Sequence, residues 1–344
     1  MGLQSYFEKF NKKIKMDYEE NSELANKRDI LIKKLRANDD LPSFESFNQG
    51  SYAMFTGVEP LDKDYDIDVG LRFNVNKDDY KPLELKEKVY EILKNHTDYG
   101  AEIKQPCVTV TYKKNGDVGY HVDLVVYSYE DKDDKESQLY LARGKKNSKD
   151  ENKKWEESDP IALKDIIMDK WDGDSRAQYR RVIRYLKRWK NYEFSSDGNN
   201  EPPGIGITLL AYEKFEPQKY DWVECKYIYD DLEALINVVD GIKSKFMLET
   251  YSSERKEWLY RIKLELPVKP NTDVFFKMTD IQMTEFKKKI EKLLDDLKDV
   301  KEETEIVEQC KMLQKIFGED FEVPPKEDTA KKQARCLPPS SASG

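Results

Sequence analysis

The sequence predicts an α+β protein: a mixed sheet preceded by a long helix, packed on a mainly helical second half. Three observations predict it. Apolar residues near the start recur every three to four positions, the spacing of one helix face. Four short segments between residues 43 and 127 alternate apolar and polar side chains, as half-buried strands do. Beyond Asp159-Pro160 the helical spacing returns and holds to about residue 317.

In chain order, Tyr6, Phe7, Phe10, Ile14, Leu24, Ile30, Leu31 and Leu35 place one long helix over residues 4–36, with no Pro or Gly inside it. Residues 38–42 end it. Ser43–Phe47 is a strand, broken at Gly50. Tyr65–Phe73 is a second. Its Tyr65, Ile67, Val69, Leu71 and Phe73 share one face, and Asp66, Asp68, Gly70 and Arg72 the other. Residues 82–95 are helical. Val108–Tyr112 and Tyr120–Tyr127 form a hairpin around Lys113-Lys-Asn-Gly-Asp117. Residues 130–158 are charge-rich and read as a surface connection. Helices follow over Ile161–Trp171, Ser175–Tyr192, Ile205–Phe215, Leu232–Lys245 and Asp280–Leu297, with a last one ending near Phe317. Ser175 is the expected cap of the second of these. Residues 323–344 are Pro-rich, polar and without apolar period, and read as a disordered tail. The expected division is a sheet-bearing core over 1–160, a helical domain over 161–322 that completes a cleft, and the tail.

Composition excludes several classes. The formal charge of -9 over 344 residues disfavours a general duplex binder, whose affinity rests on phosphate neutralisation. Mean hydropathy is -0.85, and no run approaches the ~18 apolar residues a membrane helix needs. The start lacks the apolar segment of a secretory signal. Cys107, Cys225, Cys310 and Cys336 form no CxxC pair, and only His96 and His121 could join them, so no Cys/His zinc site is expected. Scattered thiols fit a reducing cytoplasm, the expected location.

Three elements carry chemistry. Asp66 and Asp68, two apart on a strand, project from one face, and carboxylates that close repel unless a cation joins them. Asp123 sits in the apolar strand Tyr120-His-Val-Asp-Leu-Val-Val-Tyr127, where an acid is seldom unpaired. If the two strands pair, three carboxylates meet. Such a set can hold two Mg²⁺ ions, which favour oxygen ligands and substrate phosphates. Gln49-Gly50-Ser51 offers close backbone approach and a hydroxyl to a phosphate. Each element alone has a plain structural alternative: a solvated Asp-x-Asp, a salt-bridged Asp123, an ordinary Gly-Ser turn.

Together, Gly50-Ser51, Asp66-x-Asp68 and a later strand Asp123 resemble the DNA polymerase β-like nucleotidyltransferase superfamily. Gln49-Gly-Ser-Tyr-Ala-Met54 and Asp64-Tyr-Asp-Ile-Asp-Val-Gly-Leu71 resemble, more narrowly, the bacterial cGAS/DncV-like nucleotidyltransferases (CD-NTases) of CBASS antiphage defence. Trp155-x-x-Ser158-Asp159-Pro160, Arg184-Tyr-Leu-Lys187-Arg-Trp189, Asn271-Thr-Asp-Val-Phe275 and Leu313-Gln-Lys-Ile-Phe-Gly318 extend the likeness over residues 1–322. The resemblance implies a polymerase-β-like core and roles for single residues. Asp66, Asp68 and Asp123 would be catalytic and hold two Mg²⁺ ions. Gln49, Gly50 and Ser51 would meet the triphosphate, Lys187 would reach it from the helical domain, and Thr208 would face the nucleotide. Tyr or Trp side chains would stack on the bases. Lys187 keeps an alternative, since Arg180, Arg181, Arg184, Lys187, Arg188 and Lys190 also read as a solvated basic face.

The activity so implied is Mg²⁺-dependent synthesis of a cyclic di- or trinucleotide from NTPs (ATP, with GTP or pyrimidine NTPs), releasing pyrophosphate. The small-residue end Ser340-Ser-Ala-Ser-Gly344 suits an E1-like priming partner acting on Gly344. Direct DNA sensing is not expected without a zinc thumb. Two other readings stand beside this one: a polymer- or protein-directed nucleotidyltransferase, and an inactive nucleotide-sensing module.

Overall fold

This computed structural model describes residues 2–325, apart from 19–21, 63, 115–117, 196–199, 218 and 224. The expected tail begins at residue 323, but Val323 packs against the helical cluster; the tail's remainder from residue 326, with Cys336 and Gly344, lies outside the described residues. The first half runs α1 (Leu3–Ile14), α2 (Glu23–Arg36), β1 (Phe44–Asn48), α3 (Gly50–Ala53), β2 (Asp64–Asn76), α4 (Pro82–Leu93), β3 (Ala101–Ile103), β4 (Val108–Lys114), β5 (Val118–Tyr129), β6 (Leu139–Ala142) and β7 (Trp155–Glu157). The second runs α5 (Pro160–Asp169), α6 (Gly173–Glu193), α7 (Gly204–Lys214), β8 (Lys219–Asp221), β9 (Lys226–Ile228), α8 (Asp231–Lys243), β10 (Met247–Ser252), β11 (Glu257–Arg261), α9 (Asp280–Glu302) and α10 (Ile306–Phe317).

The sheet follows the order β1-β2-β5-β4-β3, with β6 on the far end of β5 and β7 on β6. Among the described residues of the sheet, only β2 and β5 pair in parallel; the other pairs are antiparallel. The expected alternation is realised. Ile67, Val69, Leu71 and Phe73 are buried with Val110, Val122 and Leu124 beneath α2 and α4. The opposite face of β2 carries Asp66, Asp68 and Gly70. Gly70 is required there, because the Phe47 ring lies where a Cβ would stand.

A second apolar cluster joins the helices of the second half. α6 contributes Tyr179, Val182, Ile183, Leu186 and Trp189. Side-chain caps start three of these helices: Asp159 accepts from Ala162 N, Asp230 from Glu233 N, and Thr279 forms a capping box with Gln282.

Four expectations are corrected. The single helix over 4–36 is two. Tyr6, Phe7, Phe10 and Ile14 of α1 belong to the helical cluster, whereas Leu24, Leu31 and Leu35 of α2 pack under the sheet. The chain must leave one cluster for the other, so the helix unwinds where Met16 N donates to Gly57 O and Glu59 N to Ile14 O. Ser22 then caps α2 by accepting from Ala25 N. Residues 130–158 hold β6 and β7, too short to show a period of their own. Ser175 does not cap α6; the helix starts at Gly173, where φ of +46° turns the chain. The hairpins β8-β9 and β10-β11 also escaped the helical reading of the second half.

One buried cation ties the sheet half together. Lys86 of α4 is fully buried, and its Nζ donates to the carbonyls of Lys104 (2.7 Å), Gln105 (3.1 Å) and Gly144 (2.7 Å). Burial pushes its pKa down to about 8.

Candidate active site

The parallel register sets Asp68 of β2 beside Asp123 of β5, and Asp123 in turn beside Thr109 of β4. Asp66, two residues before Asp68, falls on the same face. One carboxylate oxygen from each of Asp66, Asp68 and Asp123 lies within 4.8 Å of the other two. The Thr109 hydroxyl donates to Asp123 Oδ1, and Lys104 Nζ stands 4.0 Å from that oxygen. Along the same face, His121 Nε2 lies 2.9 Å from Asp64 Oδ1, with Nδ1 3.2 Å from Thr111 Oγ1.

The electrostatics follow from the crowding. Desolvation within the recess, then the charges of Asp68 and Asp123, push the Asp66 carboxyl up to about 8. Its side chain still reaches solvent, so confinement between the walls, rather than enclosure, is the cause. Desolvation and the Asp123 charge push Asp68 up to about 6. Lys104 opposes both shifts without cancelling them. A cluster of hard oxygen donors with uncompensated negative charge fits a Mg²⁺-type dication.

The cleft lined by Asp66 and Asp68 has a volume of about 590 Å³. Gly50 and Ser51 form its floor. Gly50 has φ of +63°, and a Cβ there would stand 2.2 Å from Asp68 Oδ2, so only glycine lets this turn sit against the carboxylate. Lys187 and Thr208 enter from the helical half. The Lys187 Nζ donates to Thr56 O (3.2 Å) and Thr56 Oγ1 (3.1 Å). Burial, then Lys190 and Arg184, push its pKa down to about 7. The Thr208 hydroxyl donates to Gly204 O at 2.9 Å.

Six of the eight expected site residues line the cleft, and Asp123 joins Asp66 and Asp68 within 4.8 Å. Gln49 does not line the cleft; its side chain accepts from the buried Tyr127 hydroxyl at 2.9 Å. The basic face of α6 is not solvated either. Arg184, Lys187, Arg188 and Lys190 are each at most 9% exposed. Arg188 pairs with Asp320 and Lys190 with Glu201.

Sequence reading missed Asp64, Lys190, Asn191 and Glu201, and the apolar wall of Met16, Met54, Val58, Pro60 and Ile205. Helical spacing from Lys187 could have found Lys190 and Asn191. No tyrosine or tryptophan lines this cleft among the described residues, so the expected aromatic stack has no counterpart in its walls.

Residues 44–127, which hold Gln49, Gly50, Ser51 and all three aspartates, match the nucleotidyltransferase-domain profile of the DncV-like cyclic GMP-AMP synthases. The chain carries a DncV-like nucleotidyltransferase domain. Lys187 and Thr208 lie beyond the matched segment. A cyclic GMP-AMP synthase of Escherichia albertii is 29% identical over 174 residues, 47% of this chain. That match spans only about a third (35%) of the relative's length. A c-di-GMP synthase of Roseivirga ehrenbergii is 24% identical over 299 residues, covering 80% of this chain and 73% of that protein. Among solved structures, the Bradyrhizobium diazoefficiens CD-NTase CdnG in complex with GTP superposes with a TM-score of 0.68 at 13% identity, covering 93% of this chain and 96% of the other. E. coli CdnC with ATP gives 0.64 at 17% identity, covering 92% and 98%. These likenesses are of fold: the sheet-bearing core and the helical half are arranged as in those two structures.

Proposed function

We propose that the chain is a Mg²⁺-dependent nucleotidyltransferase that joins NTPs into a cyclic di- or trinucleotide. The observation that carries this is the meeting of Asp66, Asp68 and Asp123 within 4.8 Å, at a cleft floored by Gly50-Ser51. The cyclic-nucleotide product class is supported by the E. albertii and R. ehrenbergii relatives. We read residues 1–160 as the nucleotidyltransferase core and 161–322 as the helical lobe that closes the cleft.

In this reading Asp66, Asp68 and Asp123 would hold two Mg²⁺ ions, which would supply charge neutralisation at the triphosphate and acidify the attacking hydroxyl. Ser51 donates to phosphate oxygens, and Gly50 lets the backbone approach them. Lys187 places a cation at the triphosphate, with Thr208 beside it on α7. A 3′- or 2′-hydroxyl oxygen bonds to the α-phosphorus, the bond to the bridging oxygen breaks, and pyrophosphate leaves. Asp123, oriented by Thr109, takes the hydroxyl proton. The protein's contribution is positioning and preorganised charge. The product serves as a second messenger in cytoplasmic antiphage signalling.

Thin-layer chromatography of labelled ATP, GTP, CTP and UTP with Mg²⁺, with and without RNA, tests the activity. A phosphatase-resistant product without RNA supports cyclisation. RNA-dependent tailing favours a polymer-directed enzyme, and no turnover an inactive sensor.

A further inference from the structure

The turn that follows α3 belongs to the sheet half in sequence but is held by the helical half. Phe55 adopts a left-handed φ of +55°, a conformation costing about 1 kcal/mol or more outside glycine. Its carbonyl accepts from Arg184 Nη1 at 2.5 Å. Arg184 is 5% exposed, and its Nε donates to Asn11 Oδ1 of α1 at 2.8 Å. One helical turn earlier, the Arg180 guanidinium stands 4.8 Å over the Phe55 ring. The buried Arg180 Nε finds no acceptor, so the ring face is what that cation is set against. The Tyr18 ring meets Phe55 edge-on at 5.2 Å. The next carbonyl, Thr56 O, is taken by Lys187.

The turn closes on itself through Ala53 N to Gln49 O (3.4 Å), Met54 N to Gly50 O (3.3 Å), Phe55 N to Tyr52 O (3.1 Å) and Thr56 N to Ser51 O (3.0 Å). A four-residue helix does not offset its own nucleation cost. Two successive carbonyls gripped from α6 add a constraint from outside the turn, and Gly50 and Ser51 lie within six residues of them.

We propose that Arg184, seated by Asn11 and assisted by Arg180 on the Phe55 ring, is a positioning residue that fixes the Gly50–Thr56 turn across the lobe boundary and so sets nucleotide affinity. Arg184 does not touch the nucleotide in this account; it acts through Phe55. The affinity part rests on the nucleotidyltransferase reading, whereas the clamp itself does not.

Hydrogen–deuterium exchange and ATP titration with Mg²⁺ on the full chain test it. In Arg184→Gln, the amides of Met54, Phe55 and Thr56 should exchange at least tenfold faster while those of Val69 and Leu71 keep the wild-type rate. The KM for ATP should rise at least tenfold with kcat within threefold, and Arg184→Lys should recover part of that loss, since one ammonium still reaches the Phe55 carbonyl. Arg180→Met, which leaves the carbonyl contacts in place, should give the same pattern at about threefold and serves if Arg184→Gln does not fold. Unchanged exchange in the turn, or acceleration spread evenly over the chain, overturns the clamp. A loosened turn with wild-type ATP affinity overturns its role in binding. Wild-type protein that binds no ATP refutes the nucleotidyltransferase reading instead, and the exchange data still decide the clamp.

Discussion

Replacing Asp68 by Asn should stabilise the metal-free protein while removing its response to Mg²⁺. Asp68 faces two carboxylates, Asp66 and Asp123, within 4.8 Å. At that separation one pair of charges repels by about 3.5 kcal/mol at an effective dielectric of ~20 and about 0.9 kcal/mol in bulk water. The cluster opens into the cleft and Asp66 reaches solvent, so the screened end of that range applies. The two contacts together then cost about 1–2 kcal/mol. Over 344 residues the melting entropy is about 0.7 kcal/mol/K, so the variant should melt about 1.5–3 °C higher in EDTA at pH 8.5. The effect has a pH signature. Folded Asp66 and Asp68 keep protons up to about 8 and 6, against an ordinary 3.8. The folded state therefore binds more protons than the unfolded one across this window, and metal-free stability falls as pH rises through it. The gap between variant and wild type should be small near pH 4 and widest above pH 8. Differential scanning fluorimetry in EDTA and in MgCl₂ measures both effects, with Mg²⁺ raising the wild-type midpoint alone. An Asp68→Asn protein that melts below wild type in EDTA at pH 8.5, or gains as much from Mg²⁺, would refute the reasoning.

Lys187→Ala should raise the KM for NTP about tenfold with kcat within about threefold, because a triphosphate contact acts in ground and transition states alike; steady-state kinetics decide it. Gly50→Ala should lose both stability and turnover, since the left-handed backbone and the clash with Asp68 Oδ2 together cost about 2–4 kcal/mol, readable by urea melts. Lys86→Met should destabilise by about 2–4 kcal/mol by stranding three buried carbonyls, again by urea melts, with KM unchanged in what folds. A chain ending at Pro325 should keep the wild-type midpoint and synthesis, whereas Phe321→Ala should cost about 3–5 kcal/mol, because Phe321 packs fully buried against Phe7 and Phe10.

What the sequence determines here is what depends on neighbours along the chain. The alternation of Tyr65–Phe73 puts Asp66 and Asp68 on one face whatever β2 pairs with, because successive strand residues point to opposite sides. The helices beyond Pro160 are likewise legible, since their apolar stripes repeat every 3.6 residues. Tertiary structure decides what depends on partners far along the chain. Asp123 joins the pair only through the parallel register of β5 on β2, which no local pattern specifies. The helix expected over residues 4–36 breaks because its two ends serve different cores, a division absent from its own periodicity. Gln49 is drawn out of the site by Tyr127, 78 residues later. The cations of α6 read as a wet surface in a charge count. They are buried because acceptors on α1, the turn after α3, and the segment around Asp320 come to meet them. A charge in sequence carries its hydration by default, and only packing can replace that water with a carbonyl or a carboxylate.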